Sequence, residues 1–242
     1  QKAPQPKSTN NTRQKKQKQK KNKMQKDCYV VGTNGKPISL ISLWKTRKIV
    51  LCFLRQLGCR FCMQRTQKLM SIQDKFENAG IKLVLVSLGT PLQAKKFVEK
   101  TKFTGELYVD PSSDGKLRTA LTSNQAVAYS FFKLKRGKQL VVNPHTSKLS
   151  QELTTLGIDN WETLVENPET NEDGGITEWA GDPFQIGGTF VLGIGNTCDY
   201  VYRSTYAGDH PPLDPLLEAA TGKNRKGEEV THTQAKKWAS RL

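Results

Sequence analysis

The sequence predicts an α/β fold, a central mixed sheet flanked by helices, carried between two basic extensions of disordered type. Three observations predict it. Apolar runs of strand length, IVLCFL at 49–54 and IKLVLVSL at 81–88, alternate with segments of helical spacing, as in chains that build a largely parallel sheet centre. A late stretch, GGTFVLGIGNTCDYVYRS, reads as two strands joined by a Gly-rich turn. Charge is segregated: ten Lys and Arg precede the first acid, Asp27, and a second basic cluster follows Thr221, so most of the net +16 lies in the ends.

In chain order, CYVVGTNGKPISLISLW reads as a short strand, an NGKP turn and an apolar segment ending at Trp44. KIVLCFLR is a buried central strand. From Cys59 to Asn78 the spacing of Phe61, Leu69, Ile72 and Phe76 predicts one helix, closed by NAG before strand 81–88. PLQAKKFVEKT opens a helix on Pro, where the missing N–H costs nothing. ELYVDPSS gives a short strand and turn, GKLRTAL a further helix, and PPLDPLLEAAT a closing one. Residues 122–187 form an insertion with no assignable chemistry, including LKRGKQLVVNP and an acidic linker, ENPETNEDGG. The domain division is therefore 1–26 basic extension, 27–222 folded body and 223–242 basic tail.

The 36% apolar content suffices for one core with extensions, and no apolar run approaches the roughly 20 residues of a membrane-spanning helix. Five cysteines at irregular spacing do not resemble a secreted disulfide framework and point to a reducing compartment. The chain begins at Gln1, which suggests a processed product; an organelle, chloroplast or mitochondrion, is expected ahead of the cytoplasm. Residues 1–26 hold too few apolar side chains to order themselves, yet suit a phosphate backbone. Arg13, Lys15, Lys16, Lys18, Lys20, Lys21, Lys23 and Lys26 are the candidate contacts to a polyanion, RNA or an acidic protein surface, with residues 223–242 contributing. No aromatic side chain is interleaved among them for base stacking, so binding would follow charge rather than sequence.

The chemistry concentrates in FLRQLGCRFCMQ. A thiolate is the reactive form of cysteine, and a helix N-terminus after a buried strand favours it. Cys59 occupies that place, Arg55 and Arg60 add positive potential, and Cys62 stands one turn later within reach of a disulfide. Strand, turn, Cys-x-x-Cys and helix is the thioredoxin-like pattern. Two other readings stand beside it. A zinc half-site needs a second ligand pair, and neither Cys28, Cys52, Cys198 nor the three histidines show ligand spacing, so no metal and no cofactor are expected. Two cysteines that merely pack are the other. His210, in GDHPP, reads as a turn or capping residue.

FLRQLGCRFCMQ, LYVDPSSDGKL and AGDPFQIGGTFVLGIGNTCDYVYRSTYAGDHPPLDPLLEA together resemble the peroxiredoxin-like proteins of the AhpC/TSA antioxidant superfamily, over about residues 28–222. The resemblance implies a thioredoxin fold, redox-active Cys59 and Cys62, and a thiol-dependent antioxidant or reductase activity, that of a thiol-disulfide oxidoreductase, with a thiol reductant such as thioredoxin or glutathione as partner. Arg203, beyond the Gly-rich turn, is the candidate for steadying thiolate and peroxide. Two departures separate the chain from the family pattern. Where peroxiredoxins keep Pro and a hydroxyl residue before the cysteine, Cys52 and Gln56 stand here; where thioredoxin-type reductases keep a cis-proline, Gly187 and Gly188 stand. The alternative function is therefore a weakly active or inactive accessory subunit of a large assembly, an organellar ribosome, with its tails on RNA.

Overall fold

The apolar run at 49–54 becomes strand β3 (Ile49–Gln56), buried through Leu54 because it lies inside the sheet with packed layers on both faces. The computed structural model describes residues 28–110, 128–155, 182, 184–224 and 226–228. Candidate contacts in the basic arm (1–26), the predicted helix GKLRTAL, the acidic linker and most of the C-terminal tail lie outside the described residues.

Among the described residues seven strands form one sheet. They are β1 (Tyr29–Gly32), β2 (Pro37–Ser39), β3, β4 (Lys82–Leu88), β5 (Glu106–Asp110), β6 (Gly188–Gly193) and β7 (Thr197–Arg203), in the order β2-β1-β5-β4-β3-β6-β7. The central strands β5, β4 and β3 run parallel. The outer strands β1, β2, β6 and β7 pair antiparallel, which makes the sheet mixed. The centre is built from β3, helix α1 (Arg60–Met70) and β4, followed by α3 (Pro91–Thr101) into β5; the hairpin β6–β7 and helix α7 (Leu213–Thr221) complete it. This is the thioredoxin-like mixed sheet flanked by helices that the sequence predicts.

Local chemistry sets the ends of these elements. Helix α3 opens on a reciprocal cap in which the Thr90 hydroxyl accepts from the Gln93 amide while the Gln93 side chain accepts from the Thr90 amide, with Pro91 at the first position. The single helix predicted over 59–78 is instead two, α1 and α2 (Gln73–Asn78). The Ser71 hydroxyl bonds the Lys68 carbonyl at 2.8 Å, and the Ile72 amide closes on Leu69 rather than one residue earlier, so the helix tightens and stops. The described part of the unread segment folds into α4 (Ala128–Phe131), α5 (Lys138–Val141) and α6 (Pro144–Thr155).

Two apolar clusters sandwich the sheet. One packs α1, α2, α3 and α7 against Val50, Cys52, Leu54, Leu83, Leu85 and Val191. The other is aromatic: Phe53, Phe132, Phe190, Tyr129 and Trp44 interlock on the opposite face, with Phe53–Phe132 centroids 4.9 Å and Phe132–Phe190 centroids 4.5 Å apart.

Candidate active site

Strand β3 carries one extra residue near its end: between Phe53 and Gln56 it advances three positions while β4 advances two, from Val86 to Leu88. Such a bulge takes an amide out of the ladder and re-aims it. The Arg55 amide donates instead to Cys62 Sγ at 3.2 Å. The chain then turns through Leu57 and Gly58, the Cys59 amide closing on the Gln56 carbonyl at 3.3 Å, and Cys59 becomes the N-cap of α1 with extended backbone (φ −82°, ψ 120°). Cys62 follows one turn inside the helix, and both residues are free thiols.

The same Arg55 reaches the other sulfur with its side chain. Nη1 donates to Cys59 Sγ at 3.2 Å, and Nε donates to the Gln185 carbonyl at 3.2 Å. The two thiols are pushed apart electrostatically. The hydrogen bond from the Cys62 thiol holds Cys59 well below the ordinary thiol range; it outweighs burial, and the Arg55 charge adds to it. Burial drives Cys62 the other way, reinforced by its donation to Cys59. Cys59 is 9% exposed and Cys62 1%, so the sulfur favoured as the anion is also the outer one.

Elements around the helix N-terminus close over this pair. Arg60 Nη1 donates to Thr154 Oγ1 at 3.0 Å, tying α6 to the first residue of α1. His210 Nε2 lies 3.2 Å from the Phe61 carbonyl, and Gly208 sits so close to the Phe61 ring that an added Cβ would stand 3.2 Å from it. Arg65 is 1% exposed and donates from Nη1 to the Pro211 carbonyl at 2.8 Å; its Nε and Nη2 have no hydrogen-bond partner among the described residues. Burial weakens its hold on its proton, and the groups that oppose this are the Cys52 thiol and the phenols of Tyr200 and Tyr202 rather than a carboxylate.

The structure brings Cys59 and Cys62 together but sets Arg203 elsewhere. Its Nε donates to the Phe132 carbonyl at 2.9 Å and its guanidinium lies 5.6 Å over the Phe190 ring, on the aromatic face. The guanidinium on the Cys59 sulfur is that of Arg55. Cys52 stands inside the core, its sulfur 3.6 Å from Thr189 Oγ1, and Gln56 lends a backbone carbonyl to the turn. At Gly187 a Cβ would fall 2.1 Å from the Phe53 carbonyl oxygen, so on this backbone no side chain fits there, a proline's included. Among the described residues no group of three or more His, Cys, Asp and Glu side chains could hold a metal.

Sequence reading missed Arg65 and Gln185, and read His210 as a turn or capping residue without its contact to the Phe61 carbonyl. Arg65 left a usable signal, because it falls on the same helical stripe as Cys62 and Leu69, where a charge is out of place. The contacts of His210 and Gln185 left none, since they join residues 149 and 130 positions apart.

The chain is similar to several named proteins. "Thioredoxin-like protein AAED1, chloroplastic" of Arabidopsis thaliana is 31% identical over 191 residues, which cover 78% of this chain and 68% of that protein. Human "Peroxiredoxin-like 2C" is 23% identical over 190 residues, covering 78% and 75%. The "Prostamide/prostaglandin F synthase" of Xenopus tropicalis is 26% identical over 187 residues, covering 76% and 80%. A family model, that of the AhpC/TSA antioxidant enzymes, matches residues 68–205, more than half of the chain and all of it after the cysteine pair. That range does not include the two thiols, and with the Arabidopsis relative the match settles the descent: the chain belongs to the AhpC/TSA antioxidant enzyme family.

Proposed function

We propose that this protein is a thiol-dependent oxidoreductase in which Cys59 attacks and Cys62 resolves. The observation that carries the reading is the division of labour between the sulfurs: Cys59, at a helix N-cap, faces the Arg55 guanidinium, and Cys62 lies deeper with its sulfur on the Arg55 amide. With a hydroperoxide, the Cys59 thiolate attacks the terminal peroxide oxygen; an S–O bond forms, the O–O bond breaks, and the departing alkoxide takes a proton to leave as an alcohol. The Cys62 thiol then attacks the sulfenic sulfur, forming the Cys59–Cys62 disulfide and releasing water. Two equivalents of an external thiol reduce that disulfide and leave as their own disulfide. With a disulfide substrate the Cys59 thiolate attacks one sulfur, forming a mixed disulfide and expelling the other half as a thiolate; the Cys62 thiol then attacks the Cys59 sulfur, forming the Cys59–Cys62 disulfide and releasing the second half as a thiol, and the external thiol reduces the pair as before. Gln56, where the family keeps a hydroxyl to orient the peroxide, leaves that orientation to other groups and keeps disulfide exchange within the same scheme. An organellar setting with an available thiol reductant is part of this reading, supported by the chloroplastic designation of the Arabidopsis relative.

The test is turnover of the full chain with dithiothreitol, thioredoxin or glutathione as donor, and hydrogen peroxide, an alkyl hydroperoxide or a small disulfide as acceptor. Cys59→Ser abolishes turnover, whereas Cys62→Ser accumulates a sulfenic acid or mixed disulfide on Cys59 that mass spectrometry detects. Absence of turnover with every pairing removes the reading.

A further inference from the structure

Arg55 has a stronger claim on the chemistry than a nearby charge would have. One residue serves both sulfurs, its amide on Cys62 and its guanidinium on Cys59. A guanidinium is a delocalised cation with its N–H donors in one plane, so it can hold a sulfur anion by charge and by direction together. Its direction is also fixed: with Nε spent on the Gln185 carbonyl, the planar fork leaves Nη1 aimed at Cys59 Sγ.

That carbonyl belongs to a short antiparallel ribbon that local sequence pattern does not reveal. Arg136 bridges Gln185, the Ile186 amide donates to the Lys135 carbonyl at 3.0 Å, and the Gly137 amide donates to the Phe184 carbonyl at 3.0 Å. The Gln185 side chain fastens the ribbon further, its Nε2 donating to the Lys135 carbonyl at 2.9 Å and to the Ile186 carbonyl at 3.0 Å. Both strands of the ribbon come from the segment to which the sequence assigns no chemistry.

We propose that Arg55 is the catalytic cation of this site, stabilising the Cys59 sulfur whenever it carries negative charge as attacker or leaving group, and that the ribbon of residues 135–137 and 184–186 positions it through the Gln185 carbonyl. The inference rests on the thiol reading above but concerns the reactivity of one sulfur, which is measured without any substrate. A donor held in place before charge develops is worth more than one that must be recruited. Lysine at 55 would keep the charge and lose the fork.

The experiment is the rate of iodoacetamide alkylation at Cys59 in the full chain, followed by peptide mass spectrometry as a function of pH, so that Cys28, Cys52, Cys62 and Cys198 are scored separately. In Arg55→Met the inflection of the Cys59 profile moves up by one pH unit or more, which lowers the rate below the inflection by about tenfold per unit. Arg55→Lys falls between wild type and Arg55→Met. Gln185→Ala, which keeps the carbonyl but unfastens the ribbon, shifts the profile in the same direction by less. A profile unchanged in Arg55→Met, or in Arg55→Gln should the former not fold, overturns the catalytic role; a Gln185→Ala profile identical to wild type overturns the positioning role. If no acceptor is turned over while Arg55→Met still moves the profile, the oxidoreductase reading fails and the assignment of Arg55 stands. If turnover depends on Cys59 and the profile does not move, the assignment fails alone.

Discussion

The two faces of the sheet are built on different terms. On the aromatic face, Phe53, Phe132 and Phe190 meet edge-on or tilted, and the buried polar groups are satisfied: the Tyr129 hydroxyl on the carbonyls of Leu54 and Val86, Asp110 on the Ala128 amide at 2.8 Å, Trp44 Nε1 on Asn196 Oδ1 at 3.1 Å. On the thiol face the accounts are open. Every buried side-chain nitrogen or oxygen without a hydrogen-bond partner among the described residues belongs to Arg65, Gln73 or Gln93, on α1, α2 and α3. An unsatisfied buried polar group costs about 1–3 kcal/mol, and an incompletely paired charge more. The difference teaches that both faces are packed with apolar side chains, but among the described residues only the face that carries the sulfur pair keeps buried polar groups incompletely paired, Arg65 the one charge among them.

The largest effect that separates the faces is Phe53→Ala. Phe53 is 1% exposed and touches three other rings, so truncation leaves a cavity and costs about 3–5 kcal/mol in chemical denaturation. Its side chain points away from the thiols, and the Cys59 alkylation profile of the folded variant stays that of wild type. A shift of that profile would mean that the faces communicate through β3, and the comparison would break.

Arg65→Met tests the opposite face and has the opposite sign. The substitution removes one good hydrogen bond, to the Pro211 carbonyl, worth about 1.5–3 kcal/mol for a charged donor. It also removes the desolvation of a guanidinium with two unpartnered nitrogen positions, several kcal/mol, and adds an apolar side chain of similar reach. Desolvation wins, and the denaturation midpoint rises by the equivalent of about 1–2 kcal/mol. A destabilised variant would show that the Cys52 thiol and the two phenols compensate the charge fully, and that the thiol face is not held at a cost.

Sequence pattern carried further on strands and caps than on this site. The apolar run at 49–54 specifies a central strand because a segment covered on both faces needs no polar alternation, and Thr90, Pro91 and Gln93 announce the start of α3 residue by residue. The Cys59 and Cys62 pair was legible for the same reason, being a local motif in a local context. Arg203 illustrates a limit that alternation could have removed: Tyr200 packs in the cluster of the thiol face, and residue 203, an odd number of positions on, turns to the other side. Arg55 was visible as a charge near the motif, but its orientation depends on a β-bulge and on a carbonyl 130 residues away. No periodicity in the chain encodes either.

The smallest effect at neutral pH, and the one that sharpens the comparison by its pH dependence, belongs to His210. Its part-buried imidazole bonds the Phe61 carbonyl between the two cysteines. Burial, then the Arg65 charge, push its pKa down from the ordinary value, with Lys68 adding a little. A basic group whose pKa is depressed by folding binds its proton more readily in the unfolded chain, so below the ordinary histidine value of about 6.5 the unfolded state holds more protons and stability falls as pH falls. Above that value both states are neutral at this position and it contributes no slope. His210→Gln keeps a donor for the Phe61 carbonyl and cannot be protonated; its stability matches wild type at pH 7.5 and exceeds it increasingly from pH 6.5 downward. Paired denaturation curves across that range measure the difference. Parallel pH profiles would mean that the protonated ring is accommodated beside Arg65, by movement of the loop that carries it, and the thiol face would then be less rigidly charged than its geometry implies.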